Sequence, residues 1–209
     1  MSDSRPVLRL KRCVLRPFRA SDAGPMREAA DDPMVIRYMR DRFPHPYTEA
    51  DAFGWLRMAR AEGMPEWKEG DPGPMLRPST CLDLAICLPD DTCIGSICVQ
   101  SLGDDGTERL TREFGYWIGQ KYWGRGITSE AAYALSRWAL SPAGSILVPT
   151  GENLERLDAW VCGSNKASAR VLERCGFVRE GVRRSATIKN GTLDDIIVYG
   201  LVQSDIKAL

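Results

Sequence analysis

The amino-acid sequence predicts a mixed α/β fold, and three observations carry that expectation. Alternating apolar runs of strand length and apolar residues at helical spacing interleave along the chain. Their order is one strand, helices, three strands, a helix, a strand, a helix and two strands, with no internal repeat. At 209 residues, 44% of them apolar, the chain is long enough to bury one substantial core. A single domain over residues 1–209 is therefore expected.

The elements follow in order. Val7–Phe18 alternates and reads as a first strand with its lead-in, firmest at Cys13–Arg16. Ser21 and Asp22 cap a helix running to about Ala30, and Asp31-Asp32-Pro33 restarts a short helical piece. Thr48-Glu49-Ala50-Asp51 opens another helix, whose Ala52, Trp55, Leu56 and Ala59 recur at helical spacing. Gly63–Pro78 holds four prolines and three glycines and reads as an exposed loop, the core of an insertion at about 63–80. Two strands follow, Cys81–Leu88 and Thr92–Ser101, joined by the turn Pro89-Asp90-Asp91, and then a third, Arg112–Gly119. A helix from Thr128 to about Leu140 buries a stripe of Ile127, Ala131, Leu135 and Trp138, with Glu130 in its first turn. Residues 141–155 read as a second irregular insertion. Leu157–Cys162 is a strand and Ser168–Arg174 a helix, closed by Gly176 where a left-handed cap belongs. Arg184–Lys189 and Asp194–Val202 form a hairpin around Asn190-Gly191.

Bulk chemistry excludes several classes. Lys plus Arg number 28 and Asp plus Glu 28, so no net field exists to hold a nucleic-acid backbone, which argues against a general DNA or RNA binder and leaves a local basic patch open. The seven cysteines, at 13, 81, 87, 93, 98, 162 and 175, form no Cys-x-x-Cys pair, and their number is odd. Free thiols in a reducing compartment are expected rather than zinc or disulfides. Met1–Pro6 is polar without a signal core, and no stretch reaches the ~20 apolar residues of a membrane span. A cytoplasmic protein without membrane or metal partners is expected.

The chemistry concentrates after the third strand of the central run. A strand that ends in a glycine-containing loop and starts a helix is an anion site, because the first helical N–H groups lack internal partners. Here Gly124 and Gly126 occupy the turn, with Lys121 and Arg125 adding charge. The bland alternative is a tight turn with solvated basic residues. Neither nucleotide fingerprint fits: Ser129 stands where a Rossmann loop needs its third glycine, and the P-loop Gly-Lys-Ser/Thr is absent.

The stretch Phe114-Gly115-Tyr116-Trp117-Ile118, continued by Tyr122-Trp123-Gly124-Arg125-Gly126-Ile127-Thr128-Ser129-Glu130-Ala131, resembles the acetyl-CoA signature of the GNAT acetyltransferases. Asn165-Lys166-Ala167-Ser168-Ala169-Arg170-Val171-Leu172-Glu173-Arg174-Cys175-Gly176-Phe177 resembles the second motif of that family. Leu15-Arg16-Pro17, Asp22-Ala23 and the closing Asp194 are similar to the branch of ribosomal-protein N-terminal alanine acetyltransferases. The likeness runs from about Val7 to Leu201, with the two insertions as departures.

This resemblance implies a GNAT fold: a central, mostly antiparallel twisted sheet with a splayed strand pair, flanked by helices. It implies acetyl-CoA as co-substrate, with the thioester beside Tyr116, Trp117 and Ile118 and the diphosphate on N–H groups of Trp123, Gly124, Arg125, Gly126, Ile127 and Thr128. Lys121 and Arg170 are candidates for the phosphates. Asn165 matches a position near the pantetheine arm and equally suits a helix N-cap. The partner is a primary amine, a peptide N-terminus or a small molecule; monomer and homodimer both fit.

Acetyl transfer needs a neutral amine. At pH 7 an α-amine of pKa ~8 costs about 1.4 kcal/mol to neutralise, and a lysine near 10.4 about 4.6 kcal/mol. Glu113 is the candidate base, through water; its alternative is a surface ion pair with Arg112 or Arg109. An oxyanion donor is expected among the backbone N–H groups near Ile118. Many GNAT enzymes carry a tyrosine acid where Leu172 stands, so Ser168 is the candidate hydroxyl for the leaving thiolate, with Tyr116 a more distant one. Ser168 as a plain helix cap stays open, as does an acyl-CoA sensor without turnover. A lone histidine, His45, leaves little for a triad or a multi-histidine metal site.

Overall fold

The computed structural model describes residues 7–41, 43–59, 81–101, 106–189 and 191–207. Its strands are β1 (Leu8–Arg9), β2 (Val14–Pro17), β3 (Leu82–Cys87), β4 (Cys93–Gln100), β5 (Thr111–Ile118), β6 (Arg156–Cys162), β7 (Val178–Lys189) and β8 (Thr192–Val202). The α-helices are α1 (Ala23–Ala30), α2 (Pro33–Ile36), α3 (Glu49–Met58), α4 (Ile127–Ala139), α5 (Lys166–Arg174) and α6 (Gln203–Lys207). One eight-stranded sheet runs β1-β2-β3-β4-β5-β6-β8-β7, antiparallel at every junction except the parallel β5–β6 pair.

Helices cover both faces of this sheet, and its middle strands show it. All six residues of β3 are buried, because Leu82, Leu84 and Ile86 enter one core while Ala85 and Cys87 enter the other. The first core packs Phe114, Ile118 and Leu157 against Ala131 and Leu135 of α4 and Leu172 of α5. The second packs Trp117 and Phe18 against Met26 of α1 and Leu56 of α3. Strand alternation sends successive side chains to opposite faces, so β5 feeds both cores.

Local signals place the helices. Asp32 caps α2 by accepting from the Met34 N–H at 2.8 Å, with Pro33 at the first helical position. Thr48 and Asp51 form a capping box on α3: the Thr48 hydroxyl accepts from the Asp51 N–H at 3.2 Å, and the Asp51 carboxylate from the Thr48 N–H at 2.8 Å. Losing the hydroxyl in Thr48→Ala is expected to cost about 1 kcal/mol. That would read as a fall of about 2–4 °C in calorimetric melting temperature; an unshifted transition would show that the box adds nothing.

Three expectations need correction. Val7–Phe18 is two strands: the chain reverses between Leu10 and Cys13, with the Leu10 N–H donating to the Cys13 carbonyl at 2.9 Å. At that turn the N–H groups of Lys11 and Arg12 donate to the Glu130 carboxylate on α4, at 3.2 and 2.8 Å, an interaction 118 positions away in sequence that local periodicity does not encode. Residues 141–155 are less irregular than expected. They contain a 3₁₀ segment, Pro142–Leu147, bury Leu147, Val148 and Leu154, and are tied down by the buried Arg112 guanidinium on the Leu147 carbonyl at 2.7 Å. The last hairpin begins at Val178, six residues earlier than Arg184, because β7 is a largely exposed edge strand with register shifts after Arg179 and Arg183. Its alternation is broken there, and Ser185 takes φ +48°. The 63–80 insertion lies outside the described residues. Among the described residues no helix is long and apolar enough to cross a membrane.

Candidate active site

Strands β5 and β6 part company early. They pair only at Thr111–Arg156, Arg112–Leu157 and Glu113–Asp158, although both continue well beyond. On its other side β5 stays paired with β4 as far as Gly95–Ile118, and the Gly119 N–H reaches the Ile94 carbonyl at 2.9 Å. Antiparallel ladders alternate the direction of their backbone groups. Gly119, Trp117 and Gly115 therefore turn theirs to β4, while Ile118 and Tyr116 turn theirs into the opening. The Ile118 carbonyl there accepts from the Trp123 indole at 2.8 Å.

The glycine loop lies at the end of that opening. Gly124 and Gly126 have φ of +74° and +76°, the left-handed region that favours glycine. Gly126 is the N-cap of α4 and brings no side-chain cap. The first bond of the helix runs from the Glu130 N–H to the Gly126 carbonyl at 3.1 Å. The N–H groups of Ile127, Thr128 and Ser129 precede it and point out of the helix start. Lys121 and Arg125 both stand over the Tyr122 ring, at 5.2 and 5.7 Å, and Lys121 also pairs with Glu28 at 2.9 Å on the surface.

A cation that sequence reasoning missed completes this end. A Cβ built on Gly126 would meet the Arg12 Nε at 3.6 Å. The two N–H bonds to Glu130 clamp the β1–β2 turn over the start of α4, and the Arg12 side chain stays about half exposed beside it. No local pattern points to Arg12; only the register of the sheet brings it here.

Across the opening, Tyr116 and Ser168 come together. The Tyr116 hydroxyl donates to the Ser168 carbonyl at 3.1 Å and lies 3.0 Å from the Ser168 Oγ. With its own proton on the carbonyl, Tyr116 leaves Ser168 as donor in the hydroxyl pair. Burial pushes the Tyr116 phenol well above its usual range, only partly offset by Ser168, so it stays protonated. Asn165 is the N-cap of α5, its Oδ1 accepting from the Ser168 N–H at 3.1 Å. Arg170 is exposed on the same helix, and Leu172 is buried in the first core.

Opposite the opening, on the α1–α3 face of β5, a pocket of about 490 Å³ reaches Glu113, Gly115, Tyr116 and Trp117. Glu113 is paired there with Arg40, not with Arg112 or Arg109. Arg109 is held by Glu152 at 2.9 Å, and Arg112 donates to main-chain carbonyls. The Trp117 side chain lies in the second core, edge-on to Phe43 at 5.6 Å. The geometry thus joins Tyr116, Ile118, Ser168 and the α4 N-terminus around one opening, with Glu113 behind the strand. Among the described residues no cluster of metal-ligating side chains occurs.

Comparison with known proteins agrees with this architecture. Residues 12–178 match the family model of the acetyltransferase (GNAT) domain. The uncharacterized N-acetyltransferase p20 of Bacillus licheniformis is 26% identical over 200 residues, covering 95% of this chain and 97% of that protein. The ribosomal-protein-serine acetyltransferase of Escherichia coli is 32% identical over 92 residues, 44% of this chain and 46% of its own length. Among solved structures, the microcin C7 self-immunity acetyltransferase MccE in complex with acetyl-CoA and AMP superposes with a TM-score of 0.67 at 19% identity, covering 92% of this chain and 93% of that one. A match over most of the chain, on a sheet that opens where the motif stands, makes this protein a member of the GNAT acetyltransferase family.

Proposed function

We propose that the protein transfers an acetyl group from acetyl-CoA to a primary amine by direct attack in a ternary complex. The observation that carries the reading is the alignment of two openings on β5. The β5–β6 gap leads to the glycine-bearing start of α4, and the pocket on the opposite face reaches the same residues, Gly115 and Tyr116. A thioester lying in the gap meets an amine arriving from the pocket.

In this reading Gly124, Gly126 and the N–H groups of Ile127 and Thr128 receive the diphosphate, with Arg12 beside them. The carrier supplies the activated acyl group, and the protein supplies position and electrostatics. Attack of the neutral nitrogen on the thioester carbonyl forms the C–N bond, the C–S bond breaks, and the electron pair leaves on sulfur. Backbone N–H groups at Tyr116 and Ile118 face the oxygen that gains charge. Glu113 collects the amine proton through water, and the Tyr116 hydroxyl, turning its proton from the Ser168 carbonyl to the sulfur while Ser168 donates to its oxygen, stabilises the departing thiolate. Supporting the carrier, the fold relative MccE was crystallised with acetyl-CoA.

A second reading, an acyl-CoA-binding protein without turnover, draws on Leu172, which is only 1% exposed and offers no hydroxyl where many relatives carry one. Calorimetric titration with acetyl-CoA, followed by a thiol-release assay over peptide N-termini, diamines and aminoglycosides, separates the two. Binding with release is the expected result. Binding without release from any amine would favour the silent protein, and no binding would end both.

A further inference from the structure

The walls of the 490 Å³ pocket are specific about the amine they suit. We propose that the acceptor is a primary monoamine with an aromatic or long apolar body, its nitrogen toward Gly115 and Glu113 and its body against Phe43, Tyr47 and Met58. This rests on the transferase reading and narrows its acceptor.

The floor of the pocket is built from direct register partners, Cys98 opposite Gly115 and Gln100 opposite Glu113. Gly115 leaves the strand bare where the thioester would lie behind it, since even a Cβ there would come within 3.3 Å of the Cys98 Sγ. Above the floor, Phe43 packs against Tyr47 at 5.0 Å and edge-on against Trp117 at 5.6 Å, giving an angled aromatic wall. Met39 and Met58 extend it with flexible thioethers that adapt to an apolar guest.

Charge in the pocket is sparse and already engaged. Among the described lining residues the carboxylates are Glu113 and Asp51. Glu113 is paired with Arg40, and Asp51 accepts from the Thr48 N–H at 2.8 Å within the capping box of α3. One carboxylate beside the floor serves one amino group. A second ammonium, as in a polyamine or an aminoglycoside, would find Asp51, already the capping acceptor of Thr48, as its one other described carboxylate, and elsewhere mostly rings and thioethers after losing its water. An N-terminal alanine or serine would leave most of the cavity to solvent, whereas an aryl or long alkyl side chain fills it.

The test uses the full chain with acetyl-CoA and reads thiol release for phenethylamine, spermidine and tetrapeptides beginning with Phe, Met, Ser or Ala. An apolar-bodied amine is expected to exceed Ser, Ala and spermidine in kcat/KM by at least about tenfold. Whether phenethylamine or the Phe peptide leads tells a free amine from a peptide terminus. Phe43→Ala is expected to raise KM for the preferred amine about tenfold, with KM for acetyl-CoA unchanged. Calorimetry of phenethylamine and the Phe peptide into CoA-saturated protein reads the pocket without turnover. Preference for serine, alanine or spermidine, or absence of heat from both aromatic amines, would overturn the proposal. Thiol release with those other acceptors would leave the transferase reading standing, and only failure to bind acetyl-CoA would remove that as well.

Discussion

Gly126→Asp is expected to weaken acetyl-CoA binding by about 100-fold or more, measured by calorimetry. Two effects add. Asp tolerates the left-handed region better than most residues, so the backbone at φ +76° is kept and the fold survives. The new carboxylate then stands at the start of α4, where the N–H groups of Ile127 and Thr128 would receive a diphosphate, and repels it. It also gives the Arg12 guanidinium, whose Nε lies 3.6 Å from a Cβ at this site and which already pairs with Glu130 at 3.6 Å, a second internal carboxylate in place of the ligand. Losing one charge-assisted hydrogen bond costs about 1.5–3 kcal/mol, and each 1.4 kcal/mol is about tenfold in affinity. Gly126→Asn, neutral and of nearly the same shape, isolates the charge and is expected to lose less than about tenfold. Equal affinities for the wild type and the Asp variant would move the anion site away from this loop.

The contrast between Gly126 and Arg12 shows what the sequence makes legible. A glycine between a strand and a helix has a local reason to be there, and so do Thr48 with Asp51, Asp32 before Pro33, and Gly176 at φ +87° after α5. Caps and turns are settled within a few residues, and periodicity by the face each element buries. Contacts across the sheet are different. Arg12 reaches Gly126 because β1 and β2 fold back on themselves, and Glu113 meets Arg40, 73 positions away, because the chain between α2 and α3 crosses that face. Tyr116 and Ser168 were each visible as hydroxyls on separate motifs. Their meeting at 3.0 Å depends on how far β5 and β6 diverge, which no spacing records. The early end of the first strand belongs to the same class, since its turn is held by Glu130.

That Arg40–Glu113 pair sharpens the second large expectation. Glu113→Gln is expected to lower kcat/KM by about 10²–10⁴-fold, the range general-base removal usually gives, with acetyl-CoA affinity unchanged because the substitution lies on the pocket side of β5. The pH dependence separates a base from a strut. A peptide α-amine of pKa ~8, the acceptor suited to this profile, is about one-tenth neutral at pH 7 and mostly neutral at pH 9. Without Glu113 the proton must leave to bulk water, so the rate of the variant climbs with that fraction, and its deficit against the wild type narrows as pH rises. If Glu113 served only to hold Arg40, then Arg40→Ala would lose as much as Glu113→Gln, and the ratio of wild type to either variant would be flat with pH. The arrangement favours the former: Arg40 is half exposed, while Glu113, on the interior strand β5 with register partners in both β4 and β6, is the better shielded partner and lies two residues from the bare Gly115 floor. Arg40→Ala is therefore expected to stay within about tenfold of wild type, the scale of an exposed ion pair.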